Sequence, residues 1–305
     1  MIIRPRPHGW QLLYILRGSI VKAIAPKVLA ILILSIAVAA VVELAPPTGI
    51  ERVSVTPFTL LGLVLSIFLS FRNSACYERW WEGRKLWGQL VYESRSLARQ
   101  VNLLLADDTG RRRRIAYLTT AFAHALAGRL RGRIVALMAL PWLDKRQREQ
   151  LGQRENVPDA LLSMIAAELA QALRAGDLDP ILYTQLEERL HAMSSIQAGC
   201  ERILTTPLPF AYTLLLHRCA WMFCVLLPFG LASSLGWGTP VLSAVLAYAF
   251  FGLDQLGEEM EDPFGLEPND LPLDALVRTI EIDQLDALGE RPLPEPLLPQ
   301  GYLLQ

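Results

Sequence analysis

The sequence has few cysteines, and their spacing fits neither a metal site nor a disulfide framework. The four are Cys76, Cys200, Cys219 and Cys224, and no two of them form a C-x-x-C pair. Zinc sites and disulfide scaffolds need a regular set of closely spaced cysteine or histidine ligands. We therefore expect free thiols in a reducing cytoplasm.

Catalytic motifs are also lacking. The sequence contains no G-x-S-x-G, no H-E-x-x-H and no glycine loop that could hold a phosphate. Glu188-x-x-His191 matches half of the di-iron site of helical bundles, and a second copy is absent. We predict a protein that is not an enzyme and has no catalytic residue. An intramembrane enzyme that uses Glu188 and His191, or the acidic residues near the C-terminus, is the third alternative.

Neither sign of charge is in excess. The 29 Lys and Arg residues nearly balance the 30 Asp and Glu residues, so the net charge is −1. This balance gives no electrostatic basis for binding nucleic acid. Hydrophobic residues make up 52% of the chain and charged residues 19%, and the mean hydropathy is +0.30. The apolar residues are concentrated in four blocks, which predicts an integral membrane protein with an additional polar part.

The four apolar blocks are the candidate transmembrane helices, at residues 28–44, 57–71, 219–235 and 239–253. An interrupted apolar stretch from Pro207 precedes the third block. Each block is shorter than the ~20 residues that a helix needs to cross a bilayer. We therefore expect the helices to continue into the headgroup region or to be shielded by an assembly.

The links between paired blocks carry almost no positive charge. Arg52 is the single cation in residues 45–56, and the link between the third and fourth blocks has none. The other Lys and Arg residues lie on the opposite side or, like Arg218, directly before the third block. Because positive charge stays on the cytoplasmic side, both termini and the long middle segment are predicted to be cytoplasmic.

The middle segment has helical periodicity. Residues 158–177 begin with Pro158 and end near Gly176, and residues 179–204 begin with Asp179-Pro180. The fold class is therefore predicted as all-α. The predicted parts are a cytoplasmic N-terminal segment (1–27), transmembrane helices 1 and 2 (28–71), a cytoplasmic helical region (72–206), transmembrane helices 3 and 4 (207–257), and an acidic segment with a proline-rich tail (258–305).

The second block carries two stripes at four-residue spacing. One consists of small residues that allow a neighbouring helix to pack closely: Gly62, Ser66 and Ser70. The other is apolar: Leu63, Ile67 and Phe71. The apolar stripe either faces lipid or protein, or forms a water-facing constriction that gates by dewetting. No Pro or Gly follows at Arg72, so we expect one continuous helix to leave the bilayer there.

Three further clusters each have two interpretations. His217-Arg218 is either a buried intramembrane cation site or the membrane boundary. The acidic stretch 257–274 either binds Ca²⁺ or is a solvated helix end followed by turns. The run "RRRR" (111–114) either attracts anionic lipid headgroups or is a solvated loop before a helix.

Four stretches together carry a family likeness: "PFTLLGLVLSIFLSFRNSACYERWWEGRKLWGQL" (57–90), "DPIL" (179–182), "CERILTTPLPFAYTLLLHR" (200–218) and "EDPFGLEPNDLPLDAL" (261–276). With the N-terminal "MIIRP", they resemble the prokaryotic branch of the bestrophin family, in the expected order and over nearly the whole chain before the tail. The resemblance implies a homopentameric ion channel of the inner membrane, with four spanning helices per subunit, one axial pore and a helical cytoplasmic region.

The resemblance also implies roles for particular residues. The family's second span lines a narrow neck with three apolar residues, which match Leu63, Ile67 and Phe71. The apolar residue of the D-P-I stretch forms a cytoplasmic aperture and matches Ile181. Animal members resemble chloride channels, and prokaryotic members are linked to cation permeation, so we expect small monovalent ions. The alternative is a membrane-anchored helical scaffold that binds a partner and does not conduct.

The resemblance raises the question of whether the protein binds calcium as a cofactor. The animal branch has N-P-F-G followed by an acidic run that binds Ca²⁺. Here residues 262–265 read D-P-F-G, and Leu266 and Pro268 interrupt the run that follows. Glu267 and Asp270 are its remaining carboxylates. We therefore expect no tight calcium site, and these two residues are the ones that a weak site would use.

Overall fold

The chain is described by a computed structural model that covers residues 1–5, 8–15, 18–44, 54–105, 109–134 and 139–305. These residues form helices, turns and isolated bridges without any β-strand, which confirms the all-α prediction for this part of the chain. The α-helices are α1 Val21–Leu44, α2 Thr56–Leu104, α3 Thr109–Leu130, α4 Lys145–Leu151, α5 Val157–Ala175, α6 Pro180–Thr205, α7 Phe210–Leu235, α8 Thr239–Glu261 and α9 Leu273–Ala287.

The chain divides into two compact units, which are described separately. The apolar unit comprises Pro5–Trp80 and Pro207–Asp262. The polar unit comprises Met1–Arg4, Trp81–Thr206 and Pro263–Gln305. Helix α2 contributes residues to both units.

The apolar unit is a bundle of α1, the first part of α2, α7 and α8. Side chains from all four helices form its core, which includes Ile31, Leu65, Leu69, Phe223, Leu227, Ala247 and Phe251. Three stretches of described helix are long and apolar enough to cross a membrane: Val21–Leu44, Thr56–Leu104 and Phe210–Glu261. The third contains α7 and α8, which are joined by a 3₁₀ turn at Gly236–Gly238.

The helices of the apolar unit extend beyond the predicted blocks. Helix α1 begins at Val21 instead of residue 28, and α8 continues past residue 253 to Glu261. Helix α7 begins at Phe210 and therefore includes most of the interrupted apolar stretch as well as the third block. The physical reason is that hydropathy reports where lipid would begin, whereas the backbone hydrogen bonds of a helix continue into polar sequence.

The polar unit is built around α3. This helix is buried over most of its length from Ile115 to Leu130, and it packs against α5, α6 and α9. Alanine is frequent along it, which lets the neighbouring helices approach closely. The C-terminal part of α2 adds the fully buried Trp87 and Leu97 to this unit.

The first residues of the chain pair with the proline-rich tail inside the polar unit. The Ile3 N–H donates to the Tyr302 carbonyl at 2.8 Å, and the Leu304 N–H donates to the Met1 carbonyl at 2.9 Å. The Arg4 guanidinium lies 4.4 Å from the centre of the Tyr302 ring. The tail is extended, as predicted, and this pairing was not visible from the sequence because backbone groups make it.

Candidate functional site

Helix α2 passes from apolar to polar sequence without a break. It is continuous from Thr56 to Leu104, through Phe71 and Arg72, as the absence of Pro and Gly predicted. The exposed fractions of Leu63, Ile67 and Phe71 are 59%, 46% and 63%. Their four-residue spacing places them on one face of α2. An exposed apolar stripe of this kind needs lipid or another protein surface to cover it, or a water-filled path beside it.

The small-residue stripe beside it has mixed surroundings. A Cβ on Gly62 would lie 3.1 Å from the Phe223 ring, so Gly62 packs against α7 of the same chain. The Ser66 hydroxyl donates to the Leu63 carbonyl at 2.7 Å. Ser70 is exposed. Gly62 therefore packs within the chain, and contact of Ser66 and Ser70 with a neighbouring subunit stays a prediction.

A second exposed apolar stripe lies next to the first and was not singled out from the sequence. Its members are Leu60, Val64 and Phe68, which are 61%, 49% and 46% exposed. Val64 and Phe68 line an entirely apolar groove of about 210 Å³ between α2 and α7. The four-residue spacing was the signal that could have revealed this stripe. The two stripes form a matched pair for experiments.

An ion pair is buried directly after the apolar stripe. Arg72 is 2% exposed, and its Nη1 donates to the Asp254 Oδ1 at 2.7 Å and to the Asp254 carbonyl at 3.2 Å. The Nδ1 of His217 lies 2.7 Å from the other carboxylate oxygen of Asp254. A Cβ on Gly257 would come within 3.3 Å of the Arg72 guanidinium carbon, so glycine leaves room for it. This network joins α2, α7 and α8 where the stripe ends.

The buried cation of this region is therefore Arg72. Arg218 is exposed on the chain, and the side chain of His217 is 42% exposed; the intramembrane cation site and the membrane boundary both stay predictions for this pair. Asp254 was missed from the sequence. The available signal was that Arg72 and Asp254 are each the first charged residue after an apolar block.

The start of α6 holds Ile181 on the surface of the polar unit. The Asp179 carboxylate accepts the N–H groups of Ile181 at 2.7 Å and of Leu182 at 3.4 Å, and Pro180 occupies the first turn. This is a strong helix-start signal. The opposite face of α6 is buried through Leu186, Leu190 and Met193. Ile181 is consequently 72% exposed.

The half motif Glu188-x-x-His191 lies on the exposed side of the same helix. The Glu188 side chain is 71% exposed, and His191 is exposed as well. Among the residues that the structure describes, no group of three or more His, Cys, Asp and Glu residues could hold a metal ion.

The acidic segment after α8 is organised by hydrogen bonds and ion pairs within the polar unit. Asp270 is buried, and its Oδ2 accepts the Glu267 N–H at 2.7 Å. Asp274 pairs with Arg131 at 2.7 Å and with Arg133 at 3.2 Å. Asp274 is therefore held by protein cations. The expectation that Glu267 and Asp270 form no tight calcium site stays a prediction.

The four arginines 111–114 are helical. They lie in the first turns of α3, so the prediction of a solvated loop at these positions is wrong. Carboxylates from other parts of the polar unit pair with three of them and favour this ordered position: Arg111–Asp177 at 2.8 Å, Arg113–Glu290 at 2.9 Å and Arg114–Glu168 at 2.9 Å. The predicted loop around Arg52 lies outside the described residues.

The four cysteines are free, as their spacing predicted. Cys200 on α6 is fully buried, and this burial raises the pKa of its thiol to about 12. A thiol with that pKa stays protonated at neutral pH and is a poor nucleophile. It therefore has a packing role.

Comparison with known proteins decides the family. The family model described as Bacterial/Fungal Bestrophin protein matches residues 1–286. The chain belongs to the bestrophin family. Two relatives show how far the similarity extends. A voltage-dependent anion channel-forming protein of Mesorhizobium japonicum is 47% identical, over 96% of this chain and 94% of its own length. Its Escherichia coli counterpart of the same description is 42% identical, over 99% of both chains.

A solved structure extends the likeness to the fold of this bestrophin chain. The crystal structure of a bacterial bestrophin homolog from Klebsiella pneumoniae shares 37% sequence identity with it and superposes with a TM-score of 0.85. That comparison covers 88% of this chain and 100% of the other. The family predicted from the four stretches is confirmed, and the chain is a mostly helical protein of a membrane-channel family.

Proposed function

We propose that five copies of this chain surround one axis and form an ion channel for small monovalent ions in the bacterial inner membrane, with both termini in the cytoplasm. Membership of the bestrophin family and the long apolar helices support this function. The relatives named as voltage-dependent anion channel-forming proteins favour anions as the permeant ions. Cation permeation is the second candidate, from the likeness to the prokaryotic branch.

The observation that carries the proposal is the exposed stripe of Leu63, Ile67 and Phe71 at the family's neck position. Five such stripes facing one axis would line a hydrophobic constriction about 12 Å long, since eight residues of helix rise 1.5 Å each. An apolar constriction of this kind closes by expelling water and opens when it widens. It penalises ions of either sign.

The buried ion pair would stabilise the inner end of this constriction. Arg72 follows Phe71 directly and is held by Asp254 of α8 within the same apolar unit. Removing one member of such a pair leaves an unpaired buried charge, so the contact is costly to break. We expect it to fix the helix on which Phe71 is presented.

Ile181 would form the cytoplasmic aperture. Its side chain is exposed at the start of α6, and the Asp179 cap holds that start in place. Replacement of Ile181 by Ala should change permeation and leave the assembly intact. Loss of assembly alone would identify Ile181 as an interface residue and not an aperture residue.

Flux through proteoliposomes tests the neck. Replacing Leu63, Ile67 and Phe71 together by Ala should raise the flux, because the constriction becomes wider and easier to wet. The matched control replaces Leu60, Val64 and Phe68 by Ala, which removes a similar set of exposed side chains from the adjacent stripe. Unchanged flux in the first variant, or an equal rise in both, would contradict the neck assignment.

Particle images of the purified protein test the assembly. A channel should show five-fold symmetry, whereas a membrane-anchored scaffold should be monomeric or dimeric in detergent and show no flux. Conduction needs no cofactor, so we expect the flux to be the same with calcium and with a calcium chelator. A calcium-dependent flux that Glu267→Gln removes would contradict this expectation.

A further inference from the structure

Glu188 lies on the same exposed face of α6 as Ile181. Glu188 follows Ile181 by seven residues, close to two helical turns, so both side chains project from the same face. Both are largely exposed: Ile181 by 72% and the Glu188 side chain by 71%. The opposite face of the helix is buried in the polar unit. The solution that contacts the Ile181 side chain therefore also contacts the Glu188 side chain.

The negative charge of this face is poorly neutralised. Arg189 is the single Lys or Arg residue between Pro180 and Gly199. One of its guanidinium nitrogens binds the buried carboxylate of Glu93 at 2.9 Å, and the other lies 3.8 Å from Glu188. The charge of Arg189 is thus largely balanced by Glu93, and Glu188 presents its own charge to solvent.

Ile181 itself cannot distinguish ions by their sign. Its side chain is apolar, so its effect on an anion and on a cation is the same kind of dehydration penalty. Discrimination by sign needs fixed charges near the path, and rings of Asp or Glu are what favour cations in channels. Glu188 is the carboxylate that the structure places on the same helical face as Ile181.

We infer that Glu188 favours cations over anions at the cytoplasmic end of the permeation path. This inference rests on the proposed channel function, in which each of five copies contributes one Glu188 close to the Ile181 aperture. The five carboxylates raise the local concentration of cations and lower that of anions. Glu188 therefore acts against anion permeation, and the overall preference of the channel is the balance between this ring and the rest of the path.

Reversal potentials in planar bilayers with a KCl gradient test the inference. The variant Glu188→Gln removes the charge and keeps the size of the side chain. We expect its ratio of K⁺ to Cl⁻ permeability to fall at least about threefold at 0.1 M salt, and that of Glu188→Lys to fall further. At 1 M salt the difference should shrink, because the Debye length falls from about 10 Å to about 3 Å.

The matched control is Glu187→Gln, which removes the same charge from the neighbouring position of α6. Glu187 hydrogen-bonds Tyr183, and its position is one residue, about 100° of helix, away from that of Glu188. We expect a much smaller shift for this control. An unchanged reversal potential in a conducting Glu188→Gln pentamer would overturn the inference, as would equal shifts in the two variants. An absence of current in the unmodified protein would instead overturn the proposed channel function.

Discussion

Arg72 and Asp254 carry opposite charges and are 2% and 3% exposed. Moving charges out of water costs several kcal/mol for each ion, and only a close partner with good geometry offsets that cost. The 2.7 Å contact between them supplies such a partner, and the carbonyl of Asp254 accepts a second bond from the same nitrogen. The structure of the apolar unit therefore depends on both residues being present together.

Replacing Asp254 by Ala should destabilise the protein strongly. It removes the close carboxylate of the buried Arg72 guanidinium and leaves Glu261, at 3.6 Å, as the more distant carboxylate contact, a loss of up to about 3–5 kcal/mol. The double replacement by Arg72→Met and Asp254→Leu should recover much of this loss, since an apolar pair has no charge to desolvate. The measurement is the midpoint of thermal unfolding in detergent.

Arg218→Ala is the control for this pair, because it removes an exposed cation from the same unit. Its effect should be within about 0.5 kcal/mol. A double variant no more stable than Asp254→Ala would show that the geometry of the pair, and not its charge, matters.

The sequence shows part of this residue-scale arrangement. An apolar block that ends at Arg72 predicts the level at which the polar sequence begins. It does not predict the partner, because Asp254 lies 182 positions away in the chain and the pairing depends on how α2 and α8 pack. The exposure of Leu63 was predictable only through the family resemblance, since an apolar side chain at helical spacing is more often buried in a core.

At the scale of the element, α6 shows how a short signal positions an exposed side chain. Asp179 and Pro180 fix the first turn, and the buried Leu186 and Met193 fix the rotation of the helix. Ile181 and Glu188 are then exposed by default. Each step follows from the sequence, and for this reason the start of α6 was predicted to within one residue.

Removing the cap should loosen the start of α6. Asp179→Ala deletes the acceptor for the Ile181 and Leu182 N–H groups, at a cost of about 1 kcal/mol. Hydrogen exchange at these two amides should become faster, and the permeation through the Ile181 level should change with it. Asp179→Asn keeps an equally good cap residue and should leave the exchange nearly unchanged. Equal exchange rates in the Ala and Asn variants would show that the cap does not hold this turn.

Helix ends elsewhere were less predictable. The apolar block 28–44 gave no sign that α1 begins at Val21, because Lys22, Pro26 and Lys27 read as a polar approach to the membrane. In the structure these residues are helical, and the Lys27 ammonium lies 6.0 Å from the centre of the Phe251 ring. Tertiary contacts of this kind extend a helix beyond its hydrophobic pattern.

At the scale of the whole molecule, each unit is built from segments that are separated in the sequence. The unit boundaries fall at 4/5, 80/81, 206/207 and 262/263, and the segments predicted from composition end at 27/28, 71/72, 206/207 and 257/258. The two sets differ most near the N-terminus, where Pro5–Trp80 belongs to the apolar unit. The pairing of residues 1–4 with the tail could not be predicted from composition, since its hydrogen bonds come from backbone groups that every residue has.

The pairing should respond to loss of one backbone donor. Ile3→Pro removes the N–H that donates to the Tyr302 carbonyl, which corresponds to about 1 kcal/mol. Hydrogen exchange of the Leu304 amide, which donates to Met1, should become about fivefold faster. Ile3→Val keeps the donor and should exchange like the unmodified protein. Protection of Leu304 in the Pro variant would mean that side chains such as Arg4 and Tyr302 hold the tail.

The pairing of residues 1–4 with the tail also sets the earliest time during synthesis at which these contacts can form. The Met1 amino group and the Leu304 carbonyl that it contacts are separated by 303 positions in the chain. A ribosome that adds about 5–20 residues per second needs tens of seconds to make that length. During that interval the apolar helices are already synthesised and available for insertion, while residues 1–4 wait without their partner. The pairing that joins residues 1–4 to the tail can therefore form only after residues 302–304 have been synthesised.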